Sequence, residues 1–223
     1  MNNQFFTISK NIFDINSSIL NEYENILFSD EFKINNNLSV LRNENEINNF
    51  VNIKKLLSDI TKFIEKKSKK LIFDDIWIEQ STSISTNKNS VPYIPHIDKI
   101  RKYKIMIYLS DVKKDSGPLY LINIDPDTLD DKRKKFSKNY KEKGENIISD
   151  HEIVEYKPCL GNFGTTIFFD TNTPHFAGKV YNNEKKRKIL RFSFRYVDSF
   201  TKNINLLLKG LRATQRNHFF YNY

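Results

Sequence analysis

Apolar residues in the first third of the chain recur at helical spacing. "SILNEYENILFSDEF" sets Ile19, Leu20, Tyr23, Ile26 and Leu27 on one side of a short helix. "NNFVNIKKLLSDITKFIEKKSKKLIF" carries the strongest helical signal. Val51, Ile53, Leu56, Leu57, Ile60, Phe63 and Ile64 form one stripe, with lysines and aspartate opposite. The stripe reads as a core-packing face and the lysines as a solvated one. From about residue 72 the period falls to two. "DDIWIEQSTSIST", "YKIMIYLSD", "PLYLINI", "GTTIFFDT" and "RKILRFSFRYVD" read as strands. "VKKDSG" is a turn between two of them, and "CLGNFG" leads into a third. Near the end, "NINLLLKGLRA" has the spacing of another helix.

Helices first and antiparallel strands afterwards predict a mainly β protein with α cover, a sandwich or barrel. One domain over residues 1–223 is expected: a helical part to about 72, a β core over 73–200 and a tail over 201–223. No repeat or linker divides the chain. Residues 124–156 are polar, charged and weakly periodic. Such a stretch is either a surface insertion or a lid over a pocket.

Composition changes this picture little. At 39% apolar and 13% aromatic residues, the chain has enough Phe and Tyr to build one core. The net charge of +9 suits an anionic partner, but heavy use of Lys, Asn and Ile throughout explains it equally well. Cys159 is the only cysteine, so no internal disulfide forms. There is no secretory leader pattern and no run long enough to span a membrane, so a cytoplasmic location is expected.

The candidate chemistry lies in "PYIPHIDKIRKYKIMIYLSD". Residues two apart on an extended chain share a face, so His96 and Asp98 can offer an imidazole nitrogen and a carboxylate oxygen to one point. Such a pair alone is common. A second histidine, His175 in "FFDTNTPHFAG", completes a two-histidine, one-carboxylate set of the kind that holds Fe(II) with open positions. His151 and His218 lack comparable neighbours and are read as surface residues. By strand parity Lys104, Met106 and Tyr108 share one face, from which a member could touch a co-substrate. Thr173, two residues before His175, and Tyr93, just ahead of His96, are further candidates.

Taken in order, "HID", "KIMIYLSDVKKDSGPLYLI", "GNFGTTIFFDTNTPHFAG" and "RKILRFSF" resemble the 2-oxoglutarate-dependent non-haem iron oxygenases, in particular the phytanoyl-CoA dioxygenase-like branch. The resemblance covers roughly residues 90–197. It implies a double-stranded β-helix (a jelly roll, cupin-like) with N-terminal helices packed on one sheet. It also implies Fe(II) on His96, Asp98 and His175, with 2-oxoglutarate and O2 as co-substrates and succinate and CO2 as products. By position Arg187 matches the arginine that pairs with the far carboxylate of 2-oxoglutarate; Arg191 shares its parity and competes for the role. Because Asp98 is present, hydroxylation is implied and halogenation is not. The expected substrate is a small molecule, and the lysine-rich "KRKKFSKNYKEK" tilts toward an anionic one. A prolyl-hydroxylase-type protein hydroxylase uses the same order of residues and is the rival within enzymes. A catalytically silent jelly-roll module, binding nucleic acid or polysaccharide, is the rival outside them. No nucleic-acid motif is present and no nucleic-acid partner is expected.

Overall fold

The structure is a computed structural model and describes residues 5–28, 38–41, 44–68, 70–83, 92–133, 155–181 and 186–197. His151, His218, the expected tail helix and most of the lysine-rich insertion lie outside the described residues. Nine strands and three helices alternate along them. In chain order they are β1 (Thr7–Ser9), α1 (Ser17–Phe28), β2 (Leu38–Leu41), α2 (Glu44–Asn48), α3 (Val51–Lys67) and β3 (Leu71–Ser81). Then come β4 (Lys102–Tyr108), β5 (Leu119–Leu121), β6 (Lys157–Cys159), β7 (Thr166–Asp170), β8 (His175–Ala177) and β9 (Arg187–Tyr196).

Two antiparallel sheets result. The larger runs in the order β1-β7-β4-β9-β3-β2, and the smaller in the order β6-β5-β8. Strand parity divides the large sheet into two faces. On the outer face, Ile76, Ile78, Ile105, Ile107, Phe168, Leu190, Phe192 and Phe194 pack against Tyr23 and Ile26 of α1 and Ile53, Leu56, Ile60 and Ile64 of α3. On the inner face, Met106, Tyr108, Ile167, Phe169 and Ile189 meet Leu119, Leu121 and Cys159 of the small sheet. Each fully buried aliphatic side chain contributes about 1.5–3 kcal/mol, so the two layers supply the bulk of the stabilisation.

Local contacts explain why these segments form. The carboxylate of Glu22 on α1 accepts hydrogen bonds from the backbone N–H of Asn52 and Ile53 at 3.0 and 2.9 Å. It thereby satisfies orphan donors at the start of α3 and ties the two helices together. Val51 is 71% exposed, because it precedes the turn that first meets the sheet, so it leaves the expected stripe. The strand expected from "PLYLINI" stops at Leu121, since Asp125 caps a single 3-10 turn over Pro126–Leu129. The turn after β4 needs its glycine. Gly117 has φ +71°, and a Cβ there would stand 2.8 Å from the carbonyl oxygen of Gly178. No described helix is long and apolar enough to cross a membrane.

Candidate metal centre

His96 and Asp98 lie just before β4, and His175 opens β8. His96 is not inside a strand. It forms a one-residue antiparallel bridge with His175, His96 N–H donating to His175 O at 3.1 Å and His175 N–H to His96 O at 2.9 Å. Asp98 N–H donates to Thr171 O at 3.1 Å, which sets the carboxylate beside the two rings. Ile97, between them, is fully buried.

The side chains complete the arrangement. Nδ1 of His96 donates to Ile94 O and Nδ1 of His175 to Thr173 O, both at 2.8 Å. These bonds fix the tautomer and leave both Nε2 atoms as acceptors. Asp98 Oδ1 stands 3.9 Å from Nε2 of His96 and 3.7 Å from Nε2 of His175. One ligand atom from each residue lies within 4.8 Å of the others, a group that could hold a metal ion. The ring of His175 rests edge-on against Phe169, centroids 5.3 Å apart.

Electrostatics prepare the donors. Burial draws His175 down to about 3, with the neighbouring His96 adding to the effect, and burial also lowers His96. Both imidazoles are therefore neutral near pH 7, the form that ligates. Burial alone would raise Asp98, but Lys104 and the two rings outweigh it and hold the carboxyl well below the usual range. Lys104, only 7% exposed, donates from Nζ to Asp98 Oδ2 at 2.6 Å. Its own burial pulls it down to about 8, against the opposing pull of Asp98.

The two arginines of β9 have different surroundings. Arg187, 1% exposed, donates to Gly117 O, to Ser81 Oγ at 2.9 Å and to Glu79 Oε1 at 3.0 Å. Its two terminal nitrogens are committed to the fold, while its Nε is buried without a hydrogen-bond partner. Arg191 sits opposite Met106 and Trp77 in the register, with its guanidinium 4.1 Å from the Trp77 ring centroid. Its Nε is buried without a hydrogen-bond partner. Its charge is felt at His96 and Lys104, after burial in each case. The sequence-level preference for Arg187 as the carboxylate anchor thus meets an arginine already engaged by a carboxylate of its own.

The other candidates are also placed. Tyr108 lies between the sheets, its hydroxyl donating to Cys159 O at 2.8 Å and accepting from Leu119 N–H at 3.2 Å. Thr173 lends its carbonyl to His175, while its hydroxyl is buried and unpartnered. Sequence reasoning missed Arg101. It donates to Asp170 at 2.8 Å and to Asp127 at 2.6 Å, and Tyr196 also donates to Asp170 at 2.7 Å. This braces the segment after Asp98 against the one before His175. Nothing in the local pattern signals a partner 69 residues away.

No protein-family model matches the chain, and no curated protein matches it in sequence. Solved structures do match. The non-haem α-ketoglutarate-dependent epimerase SnoN of nogalamycin biosynthesis aligns over 87% of this chain and 82% of its own, with 15% identity and TM-score 0.59. HygX of Streptomyces hygroscopicus, with nickel and 2-oxoglutarate bound, aligns over 86% and 82%, with 10% identity and TM-score 0.56. A prolyl 4-hydroxylase of Phytophthora capsici aligns over 87% of this chain and 60% of its own, with 12% identity and TM-score 0.55. The chain shares their fold.

Proposed function

We propose that the protein is an Fe(II)- and 2-oxoglutarate-dependent dioxygenase, one unit with a double-stranded β-helix core, that hydroxylates a small-molecule substrate and releases succinate and CO2. The observation that carries this reading is the convergence of two neutral imidazoles and one carboxylate within 4.8 Å. That donor set is the one non-haem Fe(II) oxygenases use. The fit is chemical as well as spatial: both Nδ1 atoms are tied, which leaves both Nε2 atoms as acceptors, and the guanidinium of Arg191, stacked over Trp77, is on the same inner face of the sheet.

His96, Asp98 and His175 would hold the metal, which when bound supplies the redox chemistry that couples O2 to 2-oxoglutarate decarboxylation. Arg191 would grip the far carboxylate of 2-oxoglutarate through its planar fork, steadied by Trp77. Arg187 instead stabilises the scaffold by neutralising Glu79. Phe169, buried edge-on against His175, keeps water from that side of the ring. A small-molecule substrate accords with SnoN, solved with nogalamycin RO, and HygX, solved with hygromycin B. An anionic substrate and a cytoplasmic setting are part of the proposal, the first resting on the net charge of +9 and the second on the single cysteine, which suits a reducing compartment. Assignment to the phytanoyl-CoA dioxygenase-like branch rests on the four sequence blocks alone.

Anaerobic addition of Fe(II) and 2-oxoglutarate tests the reading. Wild-type protein is expected to develop a weak visible charge-transfer band and, in air, to form succinate; His96→Ala is expected to do neither. Wild-type protein that binds Fe(II) but shows no band and no succinate would overturn it.

A further inference from the structure

Asp98 presents its two oxygens to different partners. Oδ1 faces the Nε2 atoms of His96 and His175 at 3.9 and 3.7 Å, while Oδ2 accepts from Lys104 Nζ at 2.6 Å. Among the described residues no other side chain hydrogen-bonds this carboxylate. The lysine is not free to swing away. Its backbone sits mid-strand in β4, paired with Phe169 of β7 and Ser193 of β9, and its stem is buried among inner-face side chains. A charge-assisted bond this short, between groups this enclosed, is a strong restraint on the carboxylate's rotation.

We infer that Lys104 makes Asp98 a one-oxygen metal ligand by occupying its second oxygen. This rests on the oxygenase reading. A six-coordinate ion held by two imidazoles and one carboxylate oxygen keeps three positions open. 2-Oxoglutarate would take two of them and leave one for O2. A carboxylate free to turn both oxygens onto the ion would take one of those three, so chelation would leave none. Lys104 is therefore a positioning residue: it acts through Asp98, and it decides how many positions the ion offers.

Three readouts test the inference. In wild-type protein, Co(II) binding should give a difference infrared spectrum with the wide splitting of carboxylate stretches that one-oxygen ligation produces; the narrow splitting of two-oxygen ligation would overturn the proposal. Lys104→Met should bind Co(II) within about threefold of wild type, show an altered Co(II) visible spectrum, and bind 2-oxoglutarate at least about tenfold more weakly. Lys104→Gln keeps an N–H for Oδ2 and should recover most of both properties. A folded Lys104→Met protein with the wild-type Co(II) spectrum and 2-oxoglutarate affinity would refute the role. So would one that loses Co(II) altogether, since the lysine would then be needed for the site to exist. The infrared arm needs no variant and no co-substrate. It separates a failure of this inference from a failure of the oxygenase reading, which would show as wild-type protein that binds Co(II) but not 2-oxoglutarate.

Discussion

The two faces of the large sheet are cut from the same strands and differ in almost everything. On β9, Leu190, Phe192 and Phe194 face the helices and join the apolar cluster there, while Arg187, Arg191 and Ser193 lie on the opposite face. On β3, Ile76 and Ile78 face out, while Asp75, Trp77 and Glu79 face in. The outer face is built mainly on hydrophobic burial, with its polar groups, the Tyr23 hydroxyl and the Lys188–Glu24 pair, each given a partner. The inner face keeps buried charges in compensated groups: Arg187 with Glu79, Lys102 with Asp74 and Asp75, and Lys104 with Asp98. The lesson is a division of labour by parity. Stability resides in one set of alternate positions and chemistry in the other, so the two should fail separately.

Phe192→Ala breaks the outer face and should show the largest effect on stability. It is expected to cost about 3–5 kcal/mol, read from the urea midpoint, while the protein that remains folded still binds Co(II). Arg187→Ala leaves Glu79 without its cation and should cost about 3 kcal/mol, as breaking a buried pair does. Arg191→Ala sharpens the contrast on the same strand. It should leave the midpoint within about 1 kcal/mol and weaken 2-oxoglutarate binding roughly a hundredfold, about 2.7 kcal/mol, read by titration of the visible band. If Arg187→Ala gave the binding defect and Arg191→Ala the stability defect, the two roles would be exchanged.

Acid should affect the inner face alone. Burial would raise Asp75 and Glu79, yet Lys102 beside the first and Arg187 beside the second hold both below their ordinary values of 3.8 and 4.5. Carboxyls depressed in the folded state contribute stability above those values, and it is lost as pH falls through them toward the folded pKa. The melting temperature should begin to fall below about pH 6.5, where the unfolded chain takes up protons that the buried, neutral His96 and His175 refuse, and should drop more steeply below about pH 4 as the carboxyls protonate. Asp75→Asn should lessen the drop, and Phe192→Leu should leave its shape unchanged. The smallest expected effect is a negative one. Burial pushes the Cys159 thiol up to about 12, so a thiol reagent should label it only after unfolding.

The alternation itself was readable from the residues, because period two is a property of the chain. So were the helical stripe of α3 and the spacing of His96, Asp98 and His175, which the structure brings together. What could not be read was register. Arg187 and Arg191 share a parity, and only pairing with β3 reveals that the first meets Ser81 and Glu79 while the second meets Trp77. The grip of Lys104 on Asp98 depends on how the chain turns between them, and the Arg101–Asp170 bond on a contact across 69 positions. Spacing names residue types that can act together; strand pairing decides which of them are already occupied.

The reciprocal backbone bridge between His96 and His175 has a consequence for how this protein can change over time. It is built of amide and carbonyl groups that every residue but proline carries in full. The two imidazoles are thus clasped by atoms that ordinary substitution does not erase. Neighbouring side chains can drift while the gap between the rings stays put, and a proline at either histidine's position would unfasten the clasp as surely as it removed the ring.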